Sequence, residues 1–234
     1  MRLNAYLARV GVASRRGADR LILEGRVTVN GRPGQLNNDI SENDSVQLDG
    51  KPVQKQKLRY ILLHKPAGTV TTLKDPHGRR KVVDLIDIPE RVVPVGRLDY
   101  DTTGALLLTN DGELAHELMH PSFEISKVYE AEVRGEITDK KLRKLERGIE
   151  LEDGKTAPAQ TRRLQGSALL QGRALQRLEI TIHEGRKHQV KRMLAAVGLP
   201  LNKLRRSKYG DLSTDGLKPG QWRDLTKAEI NFLK

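Results

Sequence analysis

Apolar residues at the start of the chain recur first at the spacing of a helix and then at the spacing of a strand. The positions between Leu3 and Val10 predict one short helix, and a second helix is predicted from its N-cap Ser14 to Gly25. The VTVN run then predicts a strand, the Asn-Gly pair at 30–31 predicts a hairpin turn, and VQLDG predicts another strand. These elements form a small amino-terminal module.

The rest of the chain mixes strand and helix patterns without an internal repeat. Predicted strands are YILL, TVTT, ALLLTND, KVYEAEVRG and LEITIHEG, VVDLI is a short helix or strand, and helices are predicted over 112–119, 139–147 and 189–197. Hairpin-like strand neighbours without regular βα alternation predict an α+β domain, built on a mixed, largely antiparallel sheet with flanking helices. The polar QKQK segment at 54–57 is interpreted as a linker between a domain at 1–53 and a domain at 58–234.

The excess of basic over acidic residues indicates which kind of molecule the protein binds. The 234 residues include 42 Lys and Arg against 30 Asp and Glu, a net charge of +12, which favours a polyanion such as nucleic acid. The sequence shows no long apolar segment, secretory signal or sustained basic amphipathic helix, so we expect a soluble, cytoplasmic protein without membrane contact. The absence of cysteine excludes disulfides, thiolate metal sites and cysteine nucleophiles.

One segment, GRLDYDTTGALLLTNDGE at 96–113, concentrates polar groups in a tight loop between two apolar stretches. Asp99 lies in this loop, where rigid flanking strands could present a carboxylate at a cleft. An isolated aspartate in such a turn more often caps nearby backbone amides. The loop alone leaves both interpretations open.

Four ordered segments resemble those of one enzyme family. The segment around Asp99 resembles the catalytic segment of the pseudouridine synthases, in the branch typified by ribosomal small subunit pseudouridine synthase A, which also includes large-subunit enzymes. HKPAG, KVYEAEV and EGRKHQVKRM resemble three further segments of this family, in the same order. The amino-terminal module resembles the RNA-binding domain first seen in ribosomal protein S4. His64 and Ala105 depart from the family pattern, and His64 could alter a hydrogen bond at the edge of the site.

The resemblance implies roles for three side chains in isomerising uridine to pseudouridine. Asp99 would be the essential carboxylate, acting either as a nucleophile on the sugar or as a base toward a sugar proton. Lys191 would be the cation that keeps it charged in a partly dry pocket, and Tyr129 would face the uracil and could take part in the last proton transfer. From the residues alone, Lys191 could equally belong to a solvated basic face and Tyr129 to the core. The reaction changes no redox state, so no cofactor is expected.

Candidate RNA contacts are cationic residues in both predicted domains. Arg97 could contact phosphate or fill the space left by an everted base, and the alternative for it is a salt bridge to Asp101 or Glu113. The other candidates are Arg2, Arg9, Arg15, Arg16, Arg20, Lys65, Arg79, Arg80, Arg186, His188, Arg192, Arg205 and Arg206. We expect the arginine-rich module to bind an RNA stem while Asp99 meets an unpaired uridine.

Two other functions compete with this interpretation. HELMH at 116–120 fits a zinc-protease signature, but Pro121 is predicted to end the helix and no third ligand is signalled, so no metal is expected. A non-catalytic RNA-binding or ribosome-assembly factor is the main alternative. The expected function is site-specific pseudouridine formation in ribosomal RNA, of the large subunit rather than the small one, by a monomer.

Overall fold

The computed structural model describes residues 1–54, 56–120, 122–170 and 173–233, and side chains at 167–170 and 173–174 are left out of the description. Lys55 of the predicted linker and Pro121, the predicted helix stop, lie outside the described residues. The chain divides into two units. The first comprises Met1–Arg59, Ile88–Val92 and Thr109–Gly112, and the second comprises the remainder.

The first unit has two helices and a small antiparallel sheet, as the sequence predicts. Ser14 caps the second helix by accepting a hydrogen bond from the Gly17 amide at 3.1 Å. Asn30 and Gly31 both have positive φ angles, which is the conformation that a two-residue hairpin turn needs. The strand order is β2-β1-β3-β4. The elements are α1 (Leu3–Arg9), α2 (Arg15–Leu23), β1 (Val27–Val29), β2 (Arg32–Pro33), β3 (Val46–Leu48) and β4 (Lys51–Pro52).

The described part of the predicted linker is held by hydrogen bonds within this unit. The Gln56 side chain accepts a bond from the Arg91 amide, and the Lys57 carbonyl accepts one from the side chain of Asn110. A Cβ at Gly11 would lie 2.4 Å from the Gln56 side chain, so this residue packs closely against the turn after α1.

The second unit contains a sheet of nine strands among the described residues. The main strand order is β11-β12-β8-β13-β7-β5-β15, with β14 paired to β13 and β6 paired to β7. Its strands are β5 (Tyr60–Lys65), β6 (Val93–Pro94), β7 (Thr103–Thr109), β8 (Lys127–Arg134), β11 (Gln160–Leu170), β12 (Arg173–Ile182), β13 (Leu201–Tyr209), β14 (Leu212–Ser213) and β15 (Trp222–Asp224). A separate hairpin joins β9 (Glu150–Leu151) and β10 (Gly154–Lys155).

The helices of this unit are short. They are a 3₁₀-helix (Val82–Leu85), α3 (Gly112–Met119), α4 (Asp139–Glu146), α5 (Gln189–Ala196) and α6 (Lys227–Phe232). The strand pairs β11–β12, β12–β8, β8–β13 and β15–β5 are antiparallel, whereas β13 and β7 run parallel. The mixed, largely antiparallel sheet confirms the predicted α+β class. Within the described ranges, no helix combines the length and apolarity needed to cross a bilayer.

The centre of the large sheet explains the apolar run after Asp99. Residues 105–108 in β7 are all 0 % exposed, which requires cover on both faces of the strand. On one side, Ala105 and Leu107 pack with residues of α3 such as Leu114. Gly104 begins this run at φ +110°, and a Cβ there would lie 2.1 Å from the Arg206 carbonyl oxygen. The close parallel pairing of β7 and β13 therefore requires glycine at position 104.

The structure overturns one predicted strand and contains two long strands that were not predicted. TVTT is not a strand, because only Val70 makes an isolated bridge, to Lys81. VVDLI, predicted as a short helix or strand, contains the 3₁₀-helix, which agrees with the helical alternative, whereas β11 was not predicted. The strand β13, which was also not predicted, contains the candidate RNA contacts Arg205 and Arg206 and lies in the interior of the sheet. Alternate residues of β13 face opposite sides, which allows a basic run to occupy a central strand.

Candidate active site

The loop that carries Asp99 is fixed by bonds to its backbone. The hydroxyl of Thr71 donates to the Leu98 carbonyl at 2.9 Å and accepts a bond from the Leu98 amide at 3.3 Å. A turn follows, in which the Thr102 amide bonds to the Asp99 carbonyl at 3.2 Å. The carboxylate of Asp99 is therefore held by a rigid backbone at the start of a buried strand.

Lys191 on α5 lies between two carboxylates of this loop. Its ammonium is 3.1 Å from Oδ2 of Asp99 and 2.5 Å from Oδ1 of Asp101. His188, the N-cap of α5, places Nε2 3.5 Å from Oδ1 of Asp99 and has φ +52°, a left-handed conformation that is uncommon outside glycine. Asp101 thus pairs with Lys191, and not with Arg97 as one alternative had proposed. Among the described residues, Arg97 forms no ion pair.

The electrostatics of this cluster favour a charged lysine. Burial acts to lower the pKa of Lys191, but its hydrogen bonds to Asp101 and Asp99 and their negative charges outweigh burial and raise it. Burial is the largest single influence on Asp101 and acts to raise its pKa, but the hydrogen bond from Lys191, the charge of Lys191 and smaller contributions together outweigh burial and lower the pKa. Lys191 consequently supplies a full positive charge beside Asp99.

Asp99 and Lys191 line a cavity of about 800 Å³ in the second unit. Tyr129 from β8 is 9 % exposed and lines the same cavity, as do the exposed side chains of Arg97 and His188. The structure therefore brings the three predicted catalytic side chains to one concave site. A cavity of this size can accommodate a nucleoside, since ligand pockets commonly enclose roughly 300–1,000 Å³.

Two further side chains of the cavity wall, Lys127 and Tyr209, were not singled out by sequence. Lys127 donates to the carbonyls of Ile125 and His183 at 3.1 and 2.7 Å, and burial lowers its pKa to about 8. Lys127 precedes Tyr129 by two residues in the same strand, and residues at this spacing point to the same face of a sheet. This spacing is the sequence signal that could have identified Lys127. Tyr209 lies under the Arg206 guanidinium, 5.0 Å from ring centroid to Cζ.

Lys65 requires a correction. Its side chain is 0 % exposed, and its ammonium donates to the carbonyls of Thr102, Pro66 and Tyr100 at 2.9, 3.1 and 3.3 Å. Burial is the main cause that lowers its pKa to about 8. A side chain without exposed surface cannot reach a phosphate in this conformation, so the expected RNA contact is replaced by a contact that holds the Asp99 loop.

Several other predicted RNA contacts are occupied by protein groups. Arg186 donates to the carbonyls of Gly154 and Lys155 at 2.8 and 2.7 Å, and Arg192 forms a two-point bond with Asp153 at 2.8 and 2.9 Å. Arg192 therefore attaches α5, and Arg186 the segment just before α5, to the β9–β10 hairpin.

The arginines of β13 are also engaged. Arg206 is 3 % exposed and donates to the Ala105 carbonyl at 2.8 Å, while Arg205 bonds Thr214 and pairs with Glu130. Neither side chain is free in the way that an RNA contact requires. Arg206 does line the cavity, in which its buried Nη2 has no partner among the described residues.

Arg79 and Arg80 differ in availability. Arg79 is bound at two points by Asp75, and hydrogen bonds from Arg79 are the main cause that lowers the pKa of Asp75 to about 2. Arg80 is exposed. His64, which departs from the family pattern, is buried and bonds the Leu217 carbonyl at 2.7 Å, so it holds a carboxyl-terminal segment and does not line the cavity.

The first unit presents its predicted RNA contacts on its surface. Arg2, Arg9, Arg15, Arg16 and Arg20 are all exposed. Arg2 lies 3.7 Å from Asp39, whereas Arg15, Arg16 and Arg20 make no ion pair with any residue in the described ranges. These three guanidinium groups are available to a polyanion.

The zinc-protease signature receives no support from the geometry. The rings of His116 and His120 lie 6.3 Å apart, and Nδ1 of His120 bonds the Ser122 hydroxyl at 2.6 Å. Across the described residues, no group of three His, Asp or Glu side chains is arranged to hold a metal ion.

Comparisons with known proteins identify the family of this chain. A family profile for RNA pseudouridylate synthase matches residues 59–196, and an S4 domain profile matches residues 1–46. The "Ribosomal large subunit pseudouridine synthase B" of Bacillus subtilis is 46 % identical over the whole chain and 95 % of the relative. An "Uncharacterized RNA pseudouridine synthase" of Aquifex aeolicus is 49 % identical, over the whole chain and 93 % of the relative.

A solved structure described as "Crystal structure of pseudouridylate synthase" matches the full length of both chains, with a TM-score of 0.69 and 30 % identity. The predicted resemblance is therefore confirmed along the whole chain, and the cavity around Asp99 lies within the matched region. The chain belongs to the RNA pseudouridine synthase family and carries an S4 domain at its amino terminus.

Proposed function

We propose that this protein isomerises uridine to pseudouridine at one or a few neighbouring sites of large-subunit ribosomal RNA. Relatives in Bacillus subtilis and Yersinia pestis, 46 % and 38 % identical over this whole chain, are named for the large subunit. The observation that carries the proposal is that Asp99, Lys191 and Tyr129 line one cavity. Oδ2 of Asp99 lies 3.1 Å from the ammonium of Lys191.

The reaction breaks the bond from the sugar to N1 of uracil, turns the base and forms a bond from the sugar to C5. The carboxylate of Asp99 either attacks the sugar carbon or removes a neighbouring proton, and Lys191 balances its charge in the cavity. Tyr129 faces the uracil and can move the final proton. The atoms rearrange without a redox change, so the chemistry proposed here needs no cofactor.

The two units divide the work in this proposal. The exposed arginines of the first unit bind the phosphates of an RNA stem, and the second unit receives one everted uridine, because a base cannot be isomerised within its stack. We keep the division proposed from sequence, with RNA binding at 1–53 and catalysis at 58–234, and a monomer as the working unit.

The decisive experiment maps pseudouridine in ribosomal RNA from cells with and without the gene, and then tests Asp99→Asn on the mapped RNA. We expect RNA affinity to be nearly unchanged and single-turnover pseudouridine formation to fall about a thousandfold or more. A variant that keeps wild-type turnover would refute the role of Asp99. Unchanged pseudouridine in cells without the gene would instead support a non-catalytic RNA-binding factor.

A further inference from the structure

The mouth of the cavity carries two exposed apolar side chains that the proposed chemistry does not use. Met119 is 52 % exposed and Phe123 is 37 % exposed, and both line the cavity that holds Asp99. Phe123 is one of only two phenylalanines in the chain. Large apolar groups exposed at the edge of a polar site commonly mark a binding surface. We call Met119 and Phe123 the apolar rim.

The backbone around Phe123 is held in place by hydrogen bonds. The Phe123 amide donates to the His120 carbonyl at 3.0 Å, and the carbonyl of the next residue, Glu124, is 3.1 Å from Nδ1 of His183. Lys127 donates to the Ile125 carbonyl at 3.1 Å. Because these bonds fix the backbone on both sides, the ring needs little further ordering to receive a flat partner.

Exposed cationic and imidazole groups line the same cavity mouth. Arg97, Lys187 and His188 are exposed and belong to the cavity lining together with the apolar rim. A mouth that combines an aromatic ring with cations matches single-stranded RNA, whose bases stack on aromatic side chains while its phosphates meet positive charge. An apolar peptide would match the rim but would leave the cations without partners.

We infer that Phe123, supported by Met119, stacks on the base of the nucleotide next to the target uridine. This inference rests on the proposed function and deepens it. Eversion of a uridine into the cavity removes a stacking partner from its neighbours, so one neighbouring base presents a bare face at the mouth. The ring of Phe123 replaces the missing partner and helps to hold the strand in the open conformation.

The test measures RNA affinity in the Asp99→Asn background, which prevents turnover. The probe is a synthetic RNA hairpin that contains the mapped uridine, in three forms: intact, abasic on its 5′ side and abasic on its 3′ side. Phe123→Ala should weaken binding of the intact hairpin by about 5- to 150-fold, the range of one base–aromatic stack. Phe232→Ala is the matched control, because Phe232 is 51 % exposed on α6 and does not line the cavity.

The abasic hairpins identify the partner of the ring. One of them should bind the Asp99→Asn protein more weakly, and Phe123→Ala should then cause no further loss with that hairpin. Equal losses for Phe123→Ala on all three hairpins would overturn the inference, as would no loss on the intact hairpin.

A second probe separates this inference from the proposed function. A poly(U) oligonucleotide needs no mapped target, and Phe123→Ala should weaken its binding while Phe232→Ala should not. If no uridine is modified in cells or in transcripts, the proposed function fails while the poly(U) result still decides the stacking role. Equal poly(U) affinity of Phe123→Ala and Phe232→Ala would overturn the stacking role. A loss of binding by Phe123→Ala would also overturn it if the unfolding midpoint of that variant alone were lowered, because the loss would then come from a less stable fold.

Discussion

Three arginines of the first unit and three cations of the second differ in what surrounds them. In the first unit, Arg15, Arg16 and Arg20 are exposed and make no ion pair within the described ranges. In the second unit, Lys65 and Arg206 are buried against backbone carbonyls, and Arg192 is bound by a carboxylate. The same residue types therefore serve two purposes: free guanidinium groups can bind a polyanion, whereas engaged cations hold the cavity in shape.

This difference teaches that a net positive charge does not measure the number of RNA contacts. A cation bound at two points to a carboxylate must lose those bonds before it can bind phosphate. Engaged cations should thus affect catalysis or stability when they are removed, and free cations should affect RNA affinity and its salt dependence. The following variants separate these effects, beginning with the largest.

Lys191→Met tests the engaged cation nearest to Asp99. Removing the ammonium leaves the carboxylates of Asp99 and Asp101 without the positive charge between them. We expect the single-turnover rate at saturating RNA to fall about 100- to 1,000-fold, as when one charge-stabilising donor is removed from an active site. RNA affinity should change little. Lys191→Arg should restore part of the rate, and full activity of Lys191→Met would contradict the assignment.

Lys65→Met tests an engaged cation that holds the loop. The substitution removes the donor that three carbonyls share, although the Tyr100 carbonyl keeps its bond from the Gly68 amide, and it should lower the free energy of unfolding by about 1–3 kcal/mol. Urea denaturation measures this difference. Lys187→Met is the control, since Lys187 is exposed and should leave the unfolding energy unchanged. A stable Lys65→Met protein with a normal midpoint would show that the loop does not depend on this side chain.

A triple variant with Gln at Arg15, Arg16 and Arg20 tests the free cations. We expect RNA affinity to fall about tenfold at physiological salt and the salt dependence of binding to become less steep, because fewer phosphate contacts release fewer counterions. The single-turnover rate at saturating RNA should stay the same. Arg26→Gln is the matched control, because Arg26 is exposed but bound at two points by Asp49, and its effect on affinity should be smaller.

The smallest expected effect is on the pH dependence of stability, through the ion pair of Arg223 and Glu229. Hydrogen bonds from Arg223 are the main cause that lowers the pKa of Glu229 from 4.5 to about 2. A carboxyl whose pKa is lower in the folded state stabilises the fold above its unfolded value and loses this contribution as the pH falls. The unfolding free energy of the native protein should therefore drop more than that of Glu229→Gln between pH 4.5 and pH 2. Parallel curves would exclude a role for this pair.

Sequence patterns predicted the elements in which apolar residues recur at the spacing of a helix or of a strand throughout. Residues 112–119 form α3 with the predicted bounds, and α2 begins after its predicted cap Ser14. TVTT was wrong because β-branched residues favour a strand only where a neighbouring strand can pair along their length, and here only Val70 forms a bridge. The strand β13 was not recognised because its four cations resemble a surface run, whereas its pairing with β7 and β8 places it inside the sheet.

The site was predictable as a set of residues but not as a set of contacts. The resemblance brought Asp99, Tyr129 and Lys191 together, and the geometry agrees. The choice of partner within the cluster depends on tertiary distances that no local pattern contains, which is why Asp101 emerged as the nearer partner of Lys191 only in three dimensions. For the same reason, charge alone could not separate Arg186 and Arg192 from residues that face solvent.

The parallel pairing of β7 with β13 has a consequence for the newly made chain. Gly104 and Arg206 are neighbours across this pair although about half of the polypeptide separates them, so the central sheet cannot close while the later strand is still being synthesised. Until then, the apolar residues of β7 lack one of their flanking strands and the Asp99 carboxylate lacks Lys191. A nascent chain should therefore remain inert toward the ribosomal RNA nearest to it until nearly all of its length has left the exit tunnel.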